Sequence, residues 1–331
     1  MLLSIVVCTY NRAAMLEQLL NSLCVQTLPV VEFEVIVVDN ASSGATQEVI
    51  KRYLSRLPNL RGVVELQTGL SHARNRGWRE ALGEYVGYID DDAKAPANWL
   101  KTAEEVILRF TPDILGGPYD AYYDQPKPIW FKDEYSSFHP SERAFQLERR
   151  KQFLSGGNLF IKRNLLEVMG GFRSELGMRG ETLGYGEETD FMLRVWEKHP
   201  DALVLYEPDL VVSHLVRASK WSLRKQCKTH FEKGRFQYLT FSVENEPLKS
   251  RHVLGFIGLP ILIIFKATFG TVFRDRKRYR FPENYLFERV FRDIQIWGKL
   301  FERLRQSISR IMKLGISQTE QDATEGDSSN G

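Results

Sequence analysis

The sequence predicts an α/β fold, a doubly wound and mostly parallel sheet with helices on both faces, followed by an α-helical extension at the C-terminus. Three observations carry this prediction. Short β-branched runs alternate with helical patterns through the first 118 residues. The runs IVV and VIVV are continuously apolar, as strands covered on both faces require. Strand, helix, strand, helix at this spacing implies right-handed parallel crossovers.

The first strand is Leu3–Thr9; its apolar run has no basic flank and stops at Thr9, Tyr10 and Asn11, so it reads as a strand and not as a signal peptide. Asn11 is expected to cap the next helix, whose apolar face is Met15, Leu16, Leu19, Leu20 and Leu23. Glu34–Asp39 is the second strand, and Ser42 or Ser43 is expected to cap the helix after it. Val63–Leu66, Tyr85–Asp90 and Ile114–Gly116 are the remaining strands of this region. From Ala121 to Gln152 the periodicity fails and a loop rich in aromatic residues and proline appears, the kind that serves as a lid or binding loop. FLSGGNLFIKRNLLEVMGGF reads as a strand then a helix, and GEETDFMLRVWEK as a further helix.

Residues 253 to 273 are long and apolar enough for a membrane, with Lys266 their single charge. Gly255, Gly258, Pro260, Lys266 and Gly270 interrupt them, and a spanning helix would put the rest of the chain across the bilayer. A hairpin or in-plane insertion avoids that. RDRKRYR at 274 to 280 would then face anionic headgroups. A helix from Glu283 to Leu314 carries an apolar stripe of Phe287, Val290, Phe291, Ile294, Trp297, Phe301, Leu304, Ile308 and Ile311, suited to a membrane interface or to a homodimer. The expected organisation is a main domain over 1–217, a helical connector over 218–252, a membrane-associating region over 253–314 and a disordered tail over 315–331.

Composition sets limits. The 331 residues are 43% hydrophobic and 26% charged, which excludes fibrous and low-complexity classes. Forty-five Lys and Arg against 42 Asp and Glu leave +3, too little to argue for nucleic acid. Three cysteines without CxxC spacing suggest neither a disulfide framework nor a zinc site, and fit a reducing, cytosolic setting.

In an open parallel sheet, ligands bind beyond the carboxyl ends of the strands near the switch point. Strand ends here carry Thr9, Tyr10, Asn11 and Arg12; Asp39, Asn40, Ala41 and Ser42; and Asp90, Asp91 and Asp92. No GxGxxG follows any of them, so the dinucleotide fingerprint is absent. Three consecutive carboxylates repel one another unless a cation is near, and hard oxygen ligands suit Mg²⁺ or Mn²⁺. A solvated acidic turn ahead of the helix at Pro96 accounts for the aspartates equally well on spacing alone.

SIVVCTYNR, VVDNASS, GLSHARNRG, YIDDDAKAPANWL, FLSGGNLFIKR and GEETDF occur in this order, and together they closely resemble the inverting family 2 glycosyltransferases of the GT-A fold over residues 2 to 217. The resemblance implies transfer of one sugar from a nucleotide diphosphate sugar to a hydroxyl of a glycan or lipid-linked acceptor; the apolar segment and the basic cluster at 274 to 280 put the protein at the cytoplasmic face of a membrane. It places Thr9, Tyr10 and Arg12 near the base and ribose, Asp39 on the base, and Arg74 and Asn75 near the diphosphate and ribose. Asp90 and Asp91 fall on the donor side, with Asp92, Asp90 and His214 around a Mg²⁺ or Mn²⁺ ion. Such an ion neutralises the diphosphate, which then leaves without a proton.

Inversion needs a base for the acceptor hydroxyl. The family's motif puts Glu188 where relatives usually carry Asp, with Glu187 as substitute and Asp190 holding the acceptor or orienting Arg194. Gly156, Gly157 and Asn158 lie where relatives approach the donor sugar, and Trp130 and Tyr135 are placed to stack on a sugar ring. No QxxRW motif follows residue 214, which favours single transfer over polymerisation. The competing reading is a membrane-docked nucleotide-sugar-binding protein that has lost turnover through the Glu188 change. A nucleotidyltransferase on a related fold would need a Gly-rich basic signature after the first strand, which is missing.

Overall fold

A computed structural model describes residues 1–180, 184–241 and 248–327, with side chains described as far as Ile311. The chain divides into two compact units, Met1–Lys220 and Trp221–Gly331.

In the first unit the alternation of the sequence becomes β1 (Leu3–Thr9), α1 (Ala13–Leu23), β2 (Phe33–Asp39), α2 (Thr46–Tyr53), β3 (Leu60–Val64), α3 (Leu70–Glu80), β4 (Tyr85–Ile89), β5 (Ala93–Lys94), α4 (Trp99–Phe110), β6 (Ile114–Gly116) and β7 (Tyr119–Tyr122). There follow β8 (Phe145–Gln146), β9 (Asn158–Lys162), α5 (Arg163–Met169), α6 (Glu187–Lys198), β10 (Val204–Tyr206) and β11 (Val212–Leu215). The main sheet has eight strands in the order β3-β2-β1-β4-β9-β6-β10-β8, and a second sheet has the order β5-β11-β7. β1, β2, β3 and β4 pair in parallel, as do β6 and β10, whereas β9 runs antiparallel to both β4 and β6. The order reverses between β1 and β4, so the switch point lies beyond Thr9 and Ile89.

The continuous apolar runs are covered on both faces, as expected. Leu3, Ile5, Val7, Val35 and Val37 pack with α1, α2 and α4 through Leu16, Leu19, Leu20, Val49, Ile50 and Trp99. Val6, Ile36, Val38 and Val86 pack on the other face with Ala73, Leu166, Phe191, Met192 and Val195 from α3, α5 and α6. Each such side chain is worth roughly 1.5–3 kcal/mol when fully buried, and the double cover makes the strand ends a rigid platform.

Three local expectations are corrected. β3 begins at Leu60, three residues ahead of the expected Val63, because Arg61 and Gly62 interrupt the β-branched run while Leu60 already takes a buried place. It is an edge strand on which burial alternates, and Arg61 is held there by Glu34 and Glu80. Asn11 does not cap α1, and neither Ser42 nor Ser43 caps α2; the residues at those caps are Arg12 and Ala45. Asn11 instead accepts hydrogen bonds on Oδ1 from the backbone N–H and hydroxyl of Ser43, and its own N–H donates to Ser42 Oγ. These contacts lace together the loops that follow β1 and β2. In the aromatic loop, a short helical turn (Asp133–Tyr135) and β8 form, and Phe131 is buried against Tyr123, Trp130 and Tyr135.

The second unit holds α7 (Leu223–Phe241), α8 (Ser250–Phe265, continued by a wide turn over Lys266–Gly270), α9 (Pro282–Tyr285) and, after a wide turn over Leu286–Val290, α10 (Phe291–Asp327). The apolar stripe expected on the last helix is consumed inside this unit. Val290, Phe291 and Ile294 are buried with Leu223, Cys227, Phe231 and Ile263, while Trp297 and Phe301 pack on Phe231 and Phe256. The stripe therefore supplies the unit's own core rather than a membrane or dimer face, with Ile308 and Ile311 left exposed. The backbone of the expected tail is helical to Asp327, and residues 328–331 lie outside the described residues.

Candidate active site

The site grows out of the β4 end. β4 is fully buried, and a turn closed by Ala93 N–H donating to the Asp90 carbonyl puts Asp90, Asp91 and Asp92 at its mouth. β5 follows at once and pairs antiparallel with β11, so that His214 lies opposite Ala93 and Leu215 N–H donates to the Asp92 carbonyl. This register brings residues more than a hundred positions apart together. His214 Nε2 is 3.2 Å from Asp92 Oδ1 and 3.8 Å from Asp90 Oδ2. One ligand atom from each of Asp90, Asp92 and His214 lies within 4.8 Å of the others.

The expectation that aspartate repulsion requires a metal is modified by two arginines. Arg12 Nη1 donates to Asp91 Oδ1 at 2.8 Å and to Asp92 Oδ2 at 3.5 Å, and Arg217 Nη2 lies 3.3 Å from Asp92 Oδ2. Arg12 thus turns toward the aspartates, a use different from the expected base and ribose contact. Burial pushes the Asp91 carboxyl up to about 6, against the pull of Arg12 and with the added push of Asp92. Arg217 is a site residue that the sequence reading missed, although it stands only three positions after His214. Two carboxylates and an imidazole remain a donor set that fits Mg²⁺ or, with its nitrogen ligand, Mn²⁺.

At the β2 end, Asp39 is buried, accepts the Ser42 N–H on Oδ1 at 3.0 Å and receives Gln47 Nε2 on Oδ2. Thr9 is buried at the β1 end and Tyr10 is half-exposed beside it. Asn40, placed at this strand end by the sequence, ties the next loop: its Nδ2 donates to the Glu65 and Gln67 carbonyls and its Oδ1 accepts the Gly69 N–H.

Side chains of this protein approach Gly156 and Gly157 closely. A Cβ on Gly156 would sit 2.7 Å from the Arg74 guanidinium, and one on Gly157 would sit 2.3 Å from Asp90 Oδ2. Asn158 is wholly buried, and its amide is spent on the Pro118 and Leu210 carbonyls and on Trp99 Nε1. It braces the site and has no free edge for a sugar. Asn75 is likewise engaged with the Phe172 carbonyl and N–H, not turned toward the expected diphosphate position.

The first turn of α6 carries the second acidic group. Glu187 is buried, and its Oε1 accepts Arg74 Nη1 at 2.8 Å. Arg74 Nη2 lies 3.8 Å from Asp90 Oδ1, so one guanidinium touches both acidic groups. Asp190 is bonded by Arg194 Nε at 2.8 Å and by Arg173 at 3.0 Å, which supports the orienting role over acceptor binding. Among the described residues, no arginine lies within ion-pair distance of Glu188, the remaining acid of this turn. Burial pushes its carboxyl up to about 8, with the neighbouring charge of Glu187 adding and Arg74 opposing.

A parallel sheet whose switch point is lined by clustered aspartates and a histidine, with an acidic helix start beside them, is the architecture of the GT-A glycosyltransferases. The chain belongs to glycosyl transferase family 2, whose profile matches residues 4–170. Among curated relatives, glycosyltransferase AglE of Haloferax volcanii is 28% identical over 188 residues, 56% of this chain and 61% of AglE, so the chain spans about three fifths of that protein. The poly(ribitol-phosphate) β-N-acetylglucosaminyltransferase TarS of Staphylococcus aureus is 37% identical over 115 residues, 34% of this chain and 20% of TarS. The crystal structure of TarS 1–349 with UDP-GlcNAc shares the fold at a TM-score of 0.55 and 21% identity, over 92% of each chain. The mannosyltransferase PcManGT of Pyrobaculum calidifontis, solved with GDP-Man and Mn²⁺, does so at 0.58 and 18% identity, over 92% of this chain and 86% of that one.

Proposed function

We propose that this chain transfers a single sugar, with inversion, from a nucleotide diphosphate sugar to a hydroxyl of a glycan or lipid-linked acceptor at the cytoplasmic face of a membrane. The observation that carries the reading is the convergence of Asp90, Asp92 and His214 at the switch point, linked through Arg74 to the acids that start α6. Asp90, Asp92 and His214 would hold Mg²⁺ or Mn²⁺, which supplies charge neutralisation for a departing diphosphate. Thr9, Tyr10 and Asp39 form the nucleotide end, with Arg12 and Arg217 adding positive charge beside the aspartates. Glu188 takes the proton of the acceptor hydroxyl, a task for which a carboxylate raised toward neutrality is suited. The neighbours solved with UDP-GlcNAc and with GDP-Man and Mn²⁺ support this class of donor. Thermal-shift and hydrolysis assays with UDP, GDP and dTDP sugars plus Mn²⁺ should single out one donor; stabilisation and hydrolysis by none of them would defeat the proposal.

The membrane part of the reading rests on α8. Ser250–Gly270 is a 21-residue helix long and apolar enough to cross a membrane; its most apolar 18 residues have a mean hydropathy of 2.0, and none of them is buried. Leu254, Ile257, Ile261, Ile264, Phe265, Phe269, Val272 and Phe273 are each more than half exposed. Its other face rests on α10 through Phe256 against Trp297 and through Lys266 bonded to Asp293. A spanning α8 would draw Asp293 and its neighbours Arg292 and Lys299 toward the hydrocarbon, at several kcal/mol each. Seating in one leaflet leaves those charges in water and sets Arg274, Arg276, Lys277, Arg278 and Arg280 at headgroup level, worth about 1 kcal/mol per residue on an anionic surface. The full chain should float with anionic vesicles, and Ile257→Asp with Ile261→Asp should release it; a full chain left in the lipid-free fraction at low salt contradicts the assignment.

A further inference from the structure

The GLSHARNRG segment was expected to serve the donor nucleotide, yet α3 directs its polar side chains elsewhere. Ser71, Arg74, Asn75 and Trp78, at steps of three and four, lie along one side of the helix. Ser71 Oγ donates to the Leu176 carbonyl at 2.8 Å, and Leu70 N–H donates to the Met178 carbonyl at 2.7 Å. Asn75 clamps both backbone groups of Phe172 and also accepts Trp78 Nε1. Arg74 donates to Glu187 Oε1 and to the Gly156 carbonyl, with its guanidinium 5.5 Å from the Phe172 ring centre and 5.8 Å from that of Tyr88. Apart from the Trp78 bond and the Arg74 contacts to Gly156 and Tyr88, these contacts hold Phe172, Leu176, Met178 and Glu187. Gly177, at φ +84°, packs against the same carboxylate: a Cβ there would lie 3.3 Å from the Glu187 carboxyl and 3.1 Å from Ser71 Oγ.

Arg74 is 3% exposed and Glu187 5%, so the pair is closed to a diphosphate as it stands. Removing either partner would strand a buried charge, which is the costly way to break such a pair. We propose that Arg74 is a positioning residue: by fixing Glu187 it sets the first turn of α6, and so places Glu188 relative to the Asp90 side of the donor site. This rests on Glu188 being the base. The α3 stripe is then the mount of the acceptor half of the site, and the Arg74 contact to Asp90 links that half to the donor half.

The test uses the full-length protein with Arg74→Lys, Arg74→Met, Glu187→Gln and the Arg74→Met/Glu187→Gln double variant. Affinity for Mn²⁺ with UDP and with GDP is measured by calorimetry, and amide exchange is followed from Asp190 to Arg194, where the first helical hydrogen bond of α6 runs from Asp190 N–H to the Gly186 carbonyl. Arg74→Lys should leave nucleotide affinity within about threefold, speed exchange in that turn by about tenfold or more, and lower single-turnover transfer by a similar factor at unchanged donor KM. The double variant should be no worse than the worse single change, since both break one interaction. Nucleotide affinity that falls tenfold while exchange at 190–194 is unchanged would make Arg74 a donor ligand and overturn the proposal, as would Arg74→Lys exchange and transfer both matching the parent. If Arg74→Met does not fold, Arg74→Lys and Glu187→Gln carry the comparison. The exchange readout needs no turnover, so a missing donor would count against the proposed reaction and leave this inference judged on its own result.

Discussion

Glu188→Gln is expected to lower the transfer rate by about two to four orders of magnitude with donor binding nearly intact. The amide keeps the size of the carboxyl and removes its ability to take a proton. The same residue predicts the pH profile. Burial and the adjacent Glu187 charge raise the carboxyl to about 8, and the reactive form is the deprotonated one, so the rate should climb with pH and level off above that value. Glu188→Gln should abolish this limb. Glu187→Gln should slow transfer but keep the limb, because the Glu187 carboxylate is engaged by Arg74 and acts through position. A limb that survives in Glu188→Gln and vanishes in Glu187→Gln would move the base by one residue.

The sign for folding runs the other way. A carboxyl whose folded value lies above its free value is stabilising while protonated in the fold, so the Glu188 contribution is full below the free carboxylate range and falls as pH rises toward about 8. Activity and stability therefore trade against each other across this window. Thermal melts of the parent should fall with pH between about 4.5 and 8 more steeply than those of Glu188→Gln.

The double-faced strands, the helices between them and the strand-end acids were legible because each obeys a local rule: continuous apolar runs, helical spacing, polar punctuation. β3 was displaced because Arg61 and Gly62 carry no strand signal; an ion-pair ladder to Glu34 and Glu80 holds that edge. The roles of Asn75, Asn158 and Arg74 were hidden for a different reason. A motif places a residue in the site's neighbourhood, but whether its polar atoms face ligand or backbone is decided by partners such as Phe172, Leu210 and Glu187, far away in sequence. The antiparallel course of β9 and the pairing of β5 with β11, which delivers His214, are likewise products of topology. In the second unit the stripe on α10 was visible as an amphipathic period, but periodicity cannot say whether membrane, partner or α7 covers it; Phe231 and Cys227 do.

EDTA is expected to abolish transfer, with activity returning on addition of Mn²⁺ or Mg²⁺. Asp92→Asn should lose at least about tenfold, or 1.4 kcal/mol, in donor affinity or rate. Asp92 is the decisive position because it is buried and faces His214, Arg12 and Arg217 at once. Without metal, the two arginines already offset the aspartates, so the fold should survive chelation and the loss should be one of function. Calorimetry with Mn²⁺ alone separates the contributions: Asp92→Asn and His214→Ala should each weaken binding by about tenfold or more, whereas Arg217→Gln removes a competing cation from Asp92 and should bind Mn²⁺ at least as tightly as the parent. Full activity in EDTA would sink metal dependence and leave Arg12 and Arg217 as the cations that face the leaving diphosphate, in which case Arg217→Gln, and not chelation, would be the change that stops transfer.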